Sequence, residues 1–234
     1  NDRNRIKNMA NGPKFIDYNL FGTATGRLTT FSNSLPILTM KKKLRQILKP
    51  KNNWFLSLDY NGAEIRTVLA LSNEPQPDFD IHLWNAKNVF GGFVERSEAK
   101  EKFFAWLYNP ESSVIESELY DREKLLDEYY VDGKILTPFG RSIEVEKRKA
   151  FNYLIQSTTA DIVLDRAVKL DEFLEDKKSF ISHIVHDEIV VDLHEEDKVL
   201  VPLIKNIFEN NMIGRFCCNL NAGKDYYNLK GLNL

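Results

Sequence analysis

The stretch that decides the fold is SFISHIVHDEIVVDL, residues 179–193. Both of its halves are apolar, and Ile189, Val190 and Val191 are three β-branched residues in a row. The polar pair His186 and Asp187 separates the halves, and two such runs joined by two polar residues are typical of a β-hairpin. We therefore predict antiparallel strands over 179–185 and 188–193, with the polar pair at the tip.

The elements upstream of this hairpin predict the rest of the architecture. The apolar run from Trp54 to Leu58 indicates a buried strand that ends at Asp59. The spacing of residues and the signals at segment ends predict six helices. They extend over about 41–49, 63–72, 81–90, 96–108, 146–173 and 196–210. The segment 109–135 is polar, which favours short helices and loops. This order predicts an α+β fold, an antiparallel sheet backed by helices. The last helix carries an apolar stripe that includes Val199 and Leu203.

Composition excludes some classes of protein without choosing among the rest. Hydrophobic residues make up 43% of the 234 residues, which is ordinary for a globular chain. No apolar run approaches the roughly 18 residues that span a bilayer, so we predict no membrane partner. The adjacent Cys217 and Cys218 suit neither a disulfide nor a zinc site, which favours a reduced, cytoplasmic setting.

Charge is distributed unevenly along the chain. The net charge is −2, but residues 1–51 carry 11 Lys and Arg against 2 Asp and Glu, a balance of +9, which leaves −11 for the remaining residues. A basic segment of this kind can meet nucleic-acid phosphates. A solvated basic face has the same composition, so charge alone does not decide between the two.

Two acidic residues lie where acids are uncommon. Asp59 ends the predicted buried strand, and Asp187 lies at the tip of the apolar hairpin. If the strands share one sheet, both carboxylates can point to one place, as two metal ions that catalyse phosphoryl transfer require. Taken singly, each is equally well explained as a turn residue or a helix cap.

Four segments, in this order, resemble motifs of the family A DNA polymerases, the group of DNA polymerase I and many phage replicative enzymes. They are TATGRLTT at 23–30, DYNGAEIR at 59–66, NYLIQSTTAD at 152–161 and HDE at 186–188. The second resembles motif A and the fourth resembles motif C. The resemblance extends from about Phe21 to Tyr226, and it implies a polymerase palm with a small helical fingers insertion.

A fifth segment resembles the fingers helix of that family. Arg96, Lys100, Phe104 and Tyr108 recur every four residues and so share one side of a helix. Cationic side chains can hold a triphosphate, and aromatic rings can stack on a base. An amphipathic surface helix would show the same pattern, and the family's usual Gly after the Tyr is replaced by Asn109.

The resemblance implies a role for each matched position. Asp59 and Asp187 would bind two Mg²⁺ ions, the Tyr60 carbonyl would complete one site, and Glu188 would be an accessory acid near the primer end. The side chains implied to bind the dNTP are Glu64, His82, Arg96, Lys100, Phe104 and Tyr108. Those implied to contact primer–template DNA are Arg27, Arg148, Asn152, Gln156 and His186.

Several of these positions have a plainer interpretation beside the implied one. Glu64 follows Asp59 by about one helical turn, where the family's Glu crowds the sugar 2′ position, but a solvated helix charge is the alternative. A single histidine such as His82 more often has a structural role than a binding role.

The basic residues predicted to bind DNA phosphate are Lys41, Lys42, Lys43 and Arg45, with Lys49, Lys51, Arg3, Arg5 and Lys7.

These implications combine into one expected function with two alternatives. We expect a template-directed DNA polymerase, with palm over 1–90 and 137–234 and abbreviated fingers over 91–136. We expect no exonuclease and little or no thumb, so a second polypeptide would supply them. The alternatives are a single-subunit phage-type RNA polymerase, which Glu64 and the HDE triplet disfavour, and a non-catalytic or split polymerase subunit.

Overall fold

The computed structural model describes residue 7 and residues 11–115 and 117–233. It divides into two compact units, each built from segments that are distant in the sequence. The first unit comprises Asn1–Asp59, Val163–Phe208 and Cys218–Leu234, and the second comprises Tyr60–Ile162 and Glu209–Cys217.

The strands and helices confirm the predicted α+β class. The strands are β1 (Tyr18–Asn19), β2 (Thr29–Thr30), β3 (Trp54–Tyr60), β4 (Tyr130–Val131), β5 (Lys134–Leu136), β6 (Ser142–Glu144), β7 (Phe180–Val185), β8 (Glu188–Leu193), β9 (Asn210–Asn211), β10 (Gly214–Arg215), β11 (Cys218–Gly223) and β12 (Lys230–Gly231). The α-helices are α1 (Ala63–Leu71), α2 (Ile81–Asn88), α3 (Arg96–Tyr108), α4 (Arg122–Tyr129), α5 (Lys147–Leu174) and α6 (Val201–Glu209). None of the helices in the described part of the chain is long and apolar enough to cross a membrane.

A five-stranded sheet forms the centre of the first unit, with strand order β12-β11-β3-β8-β7. β3 pairs antiparallel with β8, in a register that runs from Trp54 opposite Leu193 to Asp59 opposite Glu188. β7 and β8 form the predicted hairpin, and His186 in its two-residue turn has φ 57°. Tight hairpin turns need a positive φ at this first central position, so the strands enter the turn in register.

A small apolar core packs beside this sheet within the first unit. Its buried members include Ile37, Leu44, Phe55, Val190 and Tyr226. The N-terminal segment is tied to the edge strand β7 by one side chain. The Tyr18 hydroxyl donates to the Ile184 carbonyl at 2.7 Å and accepts from the Ile184 N–H at 2.8 Å. The exposed edge of the sheet is therefore partly covered.

Two helix predictions in this unit need correction. The predicted helix over 41–49 is a 3-10 helix over Lys42–Ile47, which has neither a side-chain cap nor an acidic residue in its first turn to offset its lysines. The predicted helix over 196–210 is a 3-10 helix, Glu195–Leu200, followed by α6. Pro202 lies in the first turn of α6, because proline has no N–H to donate and is tolerated there. Val199 and Leu203, predicted to share an apolar stripe, are 79% and 51% exposed.

The second unit is helical, with a three-stranded sheet in the order β4-β5-β6. Its core gathers apolar side chains from α1, α3, α4 and the first half of α5, including Leu69, Phe103, Trp106 and Leu126. The helices predicted over 63–72, 81–90, 96–108 and 146–173 are confirmed with small shifts at their ends. Segment 109–135 contains α4, β4 and part of β5, so it holds strands that the sequence analysis did not predict.

Candidate active site

Three acidic residues meet at one end of the sheet in the first unit. The register of β3 against β8 places Asp59 directly opposite Glu188, and cross-strand partners project from the same face. Asp187 is the residue before Glu188, in the turn of the hairpin. Asp59, Asp187 and Glu188 are all half-buried, so this end of the sheet holds a concentrated negative charge that water still reaches.

Both carboxylate oxygens of Glu188 accept hydrogen bonds from neutral hydroxyls. The Ser57 hydroxyl donates to Oε1 at 2.6 Å, and the Tyr226 hydroxyl donates to Oε2 at 2.5 Å. Ser57 is two residues before Asp59 on β3, and Tyr226 follows β11. Because both of its oxygens are engaged, Glu188 is held in place rather than turned toward a cation.

Tyr226 is itself surrounded on several sides. The Arg45 guanidinium lies 4.7 Å from the centre of its ring and donates to its hydroxyl at 3.2 Å. The ring of His183 meets that of Tyr226 edge-on at 4.6 Å, and Phe55 packs against both. Burial first, and then the charge of Glu188, raise the pKa of the Tyr226 hydroxyl above its usual range. Tyr226 is therefore a protonated donor at neutral pH.

The oxygen donors at this end of the sheet fit Mg²⁺. Magnesium prefers one or two carboxylates together with substrate phosphates, rather than a cage made only of protein ligands. In the part of the chain that the structure describes, no group of three or more His, Cys, Asp or Glu side chains could hold a metal ion. Asp59 and Asp187 supply two carboxylates at this end of the sheet, the kind of oxygen ligand that Mg²⁺ takes.

In the second unit, the stripe predicted on α3 forms a connected series of contacts. Arg96, the first residue of the helix, donates to the Asp80 carboxylate at 2.7 Å. The Lys100 ammonium lies 6.0 Å from the Phe104 ring, and that ring stacks on Tyr108 with centroids 5.9 Å apart and planes 13° apart. The helix thus presents two cations followed by two parallel rings.

The stripe ends on the carboxylate of Glu64. The Tyr108 hydroxyl lies 3.1 Å and 2.9 Å from the two oxygens of Glu64. Glu64 is in the first turn of α1 and is 8% exposed, so the alternative of a solvated surface charge is excluded. Gly62 begins this helix with φ 71°, and a Cβ there would come 2.4 Å from the Ile81 side chain, so only glycine permits this close approach.

His82 is buried beside the same stripe. It is 4% exposed, and its ring centroid lies 6.5 Å from that of Phe104. Burial lowers the pKa of His82 to about 4, Asp80 offsets only part of that effect, and Arg96 and Lys100 add to it. His82 is neutral at pH 7, so it can offer a phosphate a hydrogen bond but no positive charge.

Asp80 and Asn61 organise this group, and the sequence analysis assigned neither a role. Asp80 caps α2 by accepting from the N–H groups of His82 and Leu83 at 3.0 and 2.9 Å, and it accepts from the Asn61 amide at 3.0 Å. Burial alone would raise the pKa of Asp80, but hydrogen bonds from Arg96 and Asn61 hold it well below its usual range. An Asp immediately before a predicted helix is a capping signal that could have identified Asp80.

Arg66 is a second organiser that the sequence analysis passed over. It is fully buried, and its guanidinium donates to the carbonyls of Asn61, Pro77 and Phe79, each at 2.8 Å. Those carbonyls belong to the chain on either side of α1. A buried cation thus fixes the loop that delivers Asp80 to α2.

The residues predicted to contact DNA are distributed over both units. In the second unit, Arg148 is exposed on α5, and Asn152 lines the same cleft of about 220 Å³. The Asn152 Oδ1 atom is buried and has no hydrogen-bond partner among the described residues. Gln156 is half-buried one helical turn further on.

In the first unit, the predicted DNA contacts differ in accessibility. Arg27, Lys41, Lys42, Lys43, Lys49, Lys51 and His186 are exposed, as is Lys7. Arg45 is half-buried because it packs on Tyr226, so it is set apart from the exposed lysines. Arg3 and Arg5, predicted to belong to the same basic segment, lie outside the described residues.

Comparison with known proteins places these sites in a family context. No protein-family model matches the chain. Its sequence is 29% identical to DNA polymerase I of Thermus aquaticus over 82% of the chain and 29% of that protein. It is 25% identical to a DNA polymerase of Mycobacterium phage D29 over 73% of the chain and 36% of that protein. The chain therefore spans about a third of the length of these relatives.

A solved structure shares the fold. It is the POL domain of Pol1 from M. smegmatis in complex with DNA primer-template and dNTP, with a TM-score of 0.78 and 18% sequence identity. The match covers 97% of this chain and 51% of that one.

The chain shares the fold of that POL domain, with an antiparallel sheet at the centre of its first unit. In sequence it is similar to DNA polymerase I and to a phage DNA polymerase. The resemblance to the family A DNA polymerases that the motifs indicated is therefore confirmed.

Proposed function

We propose that this chain is the palm and abbreviated fingers of a template-directed DNA polymerase. The reaction would join the primer 3′ oxygen to the α-phosphorus of a dNTP, break the bond to pyrophosphate and release the hydroxyl proton. The observation that carries the proposal is the β3–β8 register, in which Asp59 lies opposite Glu188 and beside the Asp187 turn. In this proposal the palm spans 1–90 and 137–234, and the fingers span 91–136.

The metal-binding groups would come from the end of β3 and from the tip of the hairpin. Asp59 and Asp187, with the Tyr60 carbonyl, would bind two Mg²⁺ ions, which stabilise charge on the attacking and leaving oxygens when bound. Glu188 would be the accessory acid near the primer end, and its two hydroxyl donors support a fixed position for it. His186, exposed at the hairpin tip, would touch the primer terminus.

The second unit would supply the nucleotide-binding groups. Arg96 and Lys100 would hold the triphosphate, and the parallel rings of Phe104 and Tyr108 would face the base. Arg96 already pairs with Asp80, so phosphate binding would compete with an existing ion pair. His82 would contribute a neutral hydrogen bond.

Sugar selection would depend on Glu64. Its carboxylate is buried and held by Tyr108, so a 2′-hydroxyl placed against it would meet a group that has no room to move. This favours a DNA polymerase over the phage-type RNA polymerase alternative.

DNA contacts would come from both units. Arg27, Arg148, Asn152 and Gln156 would read the minor groove, where acceptors shared by all base pairs permit checking that is independent of sequence. The exposed lysines at 41–43, with Arg45 beside them, would meet the phosphate backbone. A second polypeptide would supply the thumb or exonuclease. The reduced, cytoplasmic setting that the cysteines favour stays a prediction.

The test is primer extension with the purified chain, Mg²⁺ and each set of nucleotides. Asp59→Asn and Asp187→Asn should each reduce single-turnover extension by about 10³-fold, since each removes a ligand that stabilises transition-state charge. Asp171→Asn changes an exposed carboxylate on α5 and is the matched control.

DNA affinity, measured by fluorescence anisotropy, separates the remaining alternatives. Tight primer–template binding without extension by the unmodified chain would support the non-catalytic or split subunit. Preference for ribonucleotides would support the RNA polymerase. Extension by Asp59→Asn at the normal rate would refute the metal assignment.

A further inference from the structure

A relay of hydrogen bonds in the first unit ends on Glu188, and the proposed function so far uses its donors only as support for a fixed position of Glu188. Arg45 donates to the Tyr226 hydroxyl at 3.2 Å, and Tyr226 donates to Glu188 at 2.5 Å. The three residues are distant in the sequence, and Arg45 and Tyr226 are 181 positions apart. They meet at the end of the sheet where Asp59 lies opposite Glu188.

The direction of this relay follows from chemistry. A guanidinium can only donate, so the Tyr226 oxygen must accept from Arg45 and direct its own hydrogen elsewhere. The acceptor within reach is Glu188, whose other oxygen accepts from Ser57 at 2.6 Å. A hydrogen bond that already involves one charged partner shortens and strengthens, and each further donor in a chain polarises the next.

The ring of Tyr226 has little freedom to leave this position. It is 2% exposed, it lies under the Arg45 guanidinium, and it meets the rings of His183 and Phe55 at 4.6 and 6.3 Å. The hydroxyl is therefore aimed at one oxygen of Glu188 by rigid packing. Its direction is set before any substrate binds.

We propose that Tyr226 is a positioning residue that fixes the carboxylate of Glu188 for nucleotidyl transfer, with Ser57 fixing its second oxygen. The inference rests on the proposed function and adds two residues to it. Arg45 then has a place in this relay in addition to the DNA contact proposed for the basic segment around it.

The main alternative is that Tyr226 only fills the core beside the sheet. Tyr226→Phe separates the two roles, because it keeps the ring and its packing and removes only the hydroxyl. It should lower kcat for single-nucleotide addition about tenfold, equivalent to about 1.4 kcal/mol of transition-state stabilisation. KM for dNTP and Kd for primer–template should stay within about twofold, since Tyr226 binds neither in this proposal.

Matched variants make the result specific. Tyr227→Phe changes the neighbouring tyrosine, which is 38% exposed, and should leave kcat unchanged. Ser57→Ala removes the other donor to Glu188 and should show the same fall in kcat with unchanged KM. Ser57→Ala also tests the inference if Tyr226→Phe does not fold. Cooperative thermal unfolding shows whether each variant is folded.

A double-mutant cycle decides whether Tyr226 acts through Glu188. If it does, Tyr226→Phe should slow the Glu188→Gln variant little further, because coupled residues are not additive. Losses that multiply in the double variant would overturn the inference, as would a normal kcat in a folded Tyr226→Phe protein. Absence of extension by the unmodified chain would instead refute the proposed function, so the two failures are distinguishable.

Discussion

Replacing Arg66 by Met tests how the second unit holds the residues that are proposed to bind nucleotide. Met is unbranched and of similar length, so it fills much of the space and removes the guanidinium. Arg66 is fully buried and donates to three backbone carbonyls at 2.8 Å. Burial lowers the pKa of Arg66, and the nearby carboxylates of Glu209, Asp80 and Asp78 offset part of this.

The magnitude follows from those three bonds. Each hydrogen bond to a charged group contributes about 1.5–3 kcal/mol, and the carbonyls left behind can regain water only in part. Burial of the guanidinium also has a desolvation cost that the variant no longer bears. We therefore expect a net loss of about 3–5 kcal/mol, a large fraction of the roughly 5–15 kcal/mol that stabilises a typical domain.

Urea denaturation at pH 7.5 measures this loss, and hydrogen exchange localises it. The N–H groups of Ile81, His82 and Leu83 donate to the side chains of Asn61 and Asp80. These amides should exchange faster in Arg66→Met than in the unmodified chain. Arg66→Lys should fall between the two, because an ammonium cannot match the guanidinium fork.

The control is Lys169→Met, which removes an exposed cation from α5 and should change stability by less than about 0.5 kcal/mol. A loss below about 1 kcal/mol in Arg66→Met, with unchanged exchange at 81–83, would refute the reasoning. It would mean that the loop before α2 is held by other contacts.

Two further predictions concern buried titratable groups. Glu64→Ala should raise ribonucleotide incorporation relative to deoxyribonucleotide, and an unchanged ratio in single-nucleotide kinetics would remove Glu64 from sugar selection. Burial lowers the pKa of His82 and of His183 to about 4, below the ordinary value near 6.5, so the unfolded chain binds protons first as the pH falls. The free energy of unfolding should therefore be highest above about pH 6.5 and decline toward pH 4, by at most about 3 kcal/mol for each residue. His82→Gln and His183→Gln should each flatten the dependence of this free energy on pH, as measured by urea denaturation. A flat dependence in the unmodified chain would contradict the lowered pKa values.

Local patterns were sufficient to predict much of the fold. The hairpin of β7 and β8 was predicted at its observed place because β-branched runs and a polar pair are signals contained within fifteen residues. The helix α3 was predicted with its observed ends because its apolar and polar positions repeat at helical spacing. The sheet order was not available from such patterns, since β3 pairs with β8 and β11, which are both far away from it in the sequence.

The errors have identifiable physical causes. Lys42–Ile47 has a helical pattern, but without a cap or an acidic first turn it forms only a 3-10 helix. At Pro202 the missing N–H places the start of α6 later than the apolar stripe suggested. The prediction over 41–49 rested on a basic segment stopped by Pro50, and that over 196–210 rested on an apolar stripe, whereas backbone hydrogen bonding decided both outcomes.

The candidate site shows the same contrast between signals within a segment and partners across segments. Asp59 and Asp187 stand out in the sequence because each is an acid at the end of an apolar run. The groups that hold Glu188 do not stand out, because Ser57 and Tyr226 are 131 and 38 residues away from it and neither lies in a periodic pattern. Arg66 reaches carbonyls only 5–13 residues away, yet sequence reasoning missed it because arginine is rarely fully buried.

These differences bear on how the two sets of residues respond to substitution. A metal-binding carboxylate acts by its charge, so even an isosteric amide at Asp59 should abolish its contribution. A positioning hydroxyl acts by direction, so Tyr226→Phe should weaken the reaction without abolishing it, and its effect should vanish once Glu188 is changed. A partial loss of activity in Tyr226→Phe, beside a complete loss of the contribution of Asp59 in the amide variant, would therefore distinguish a positioning residue from a group that takes part in the reaction.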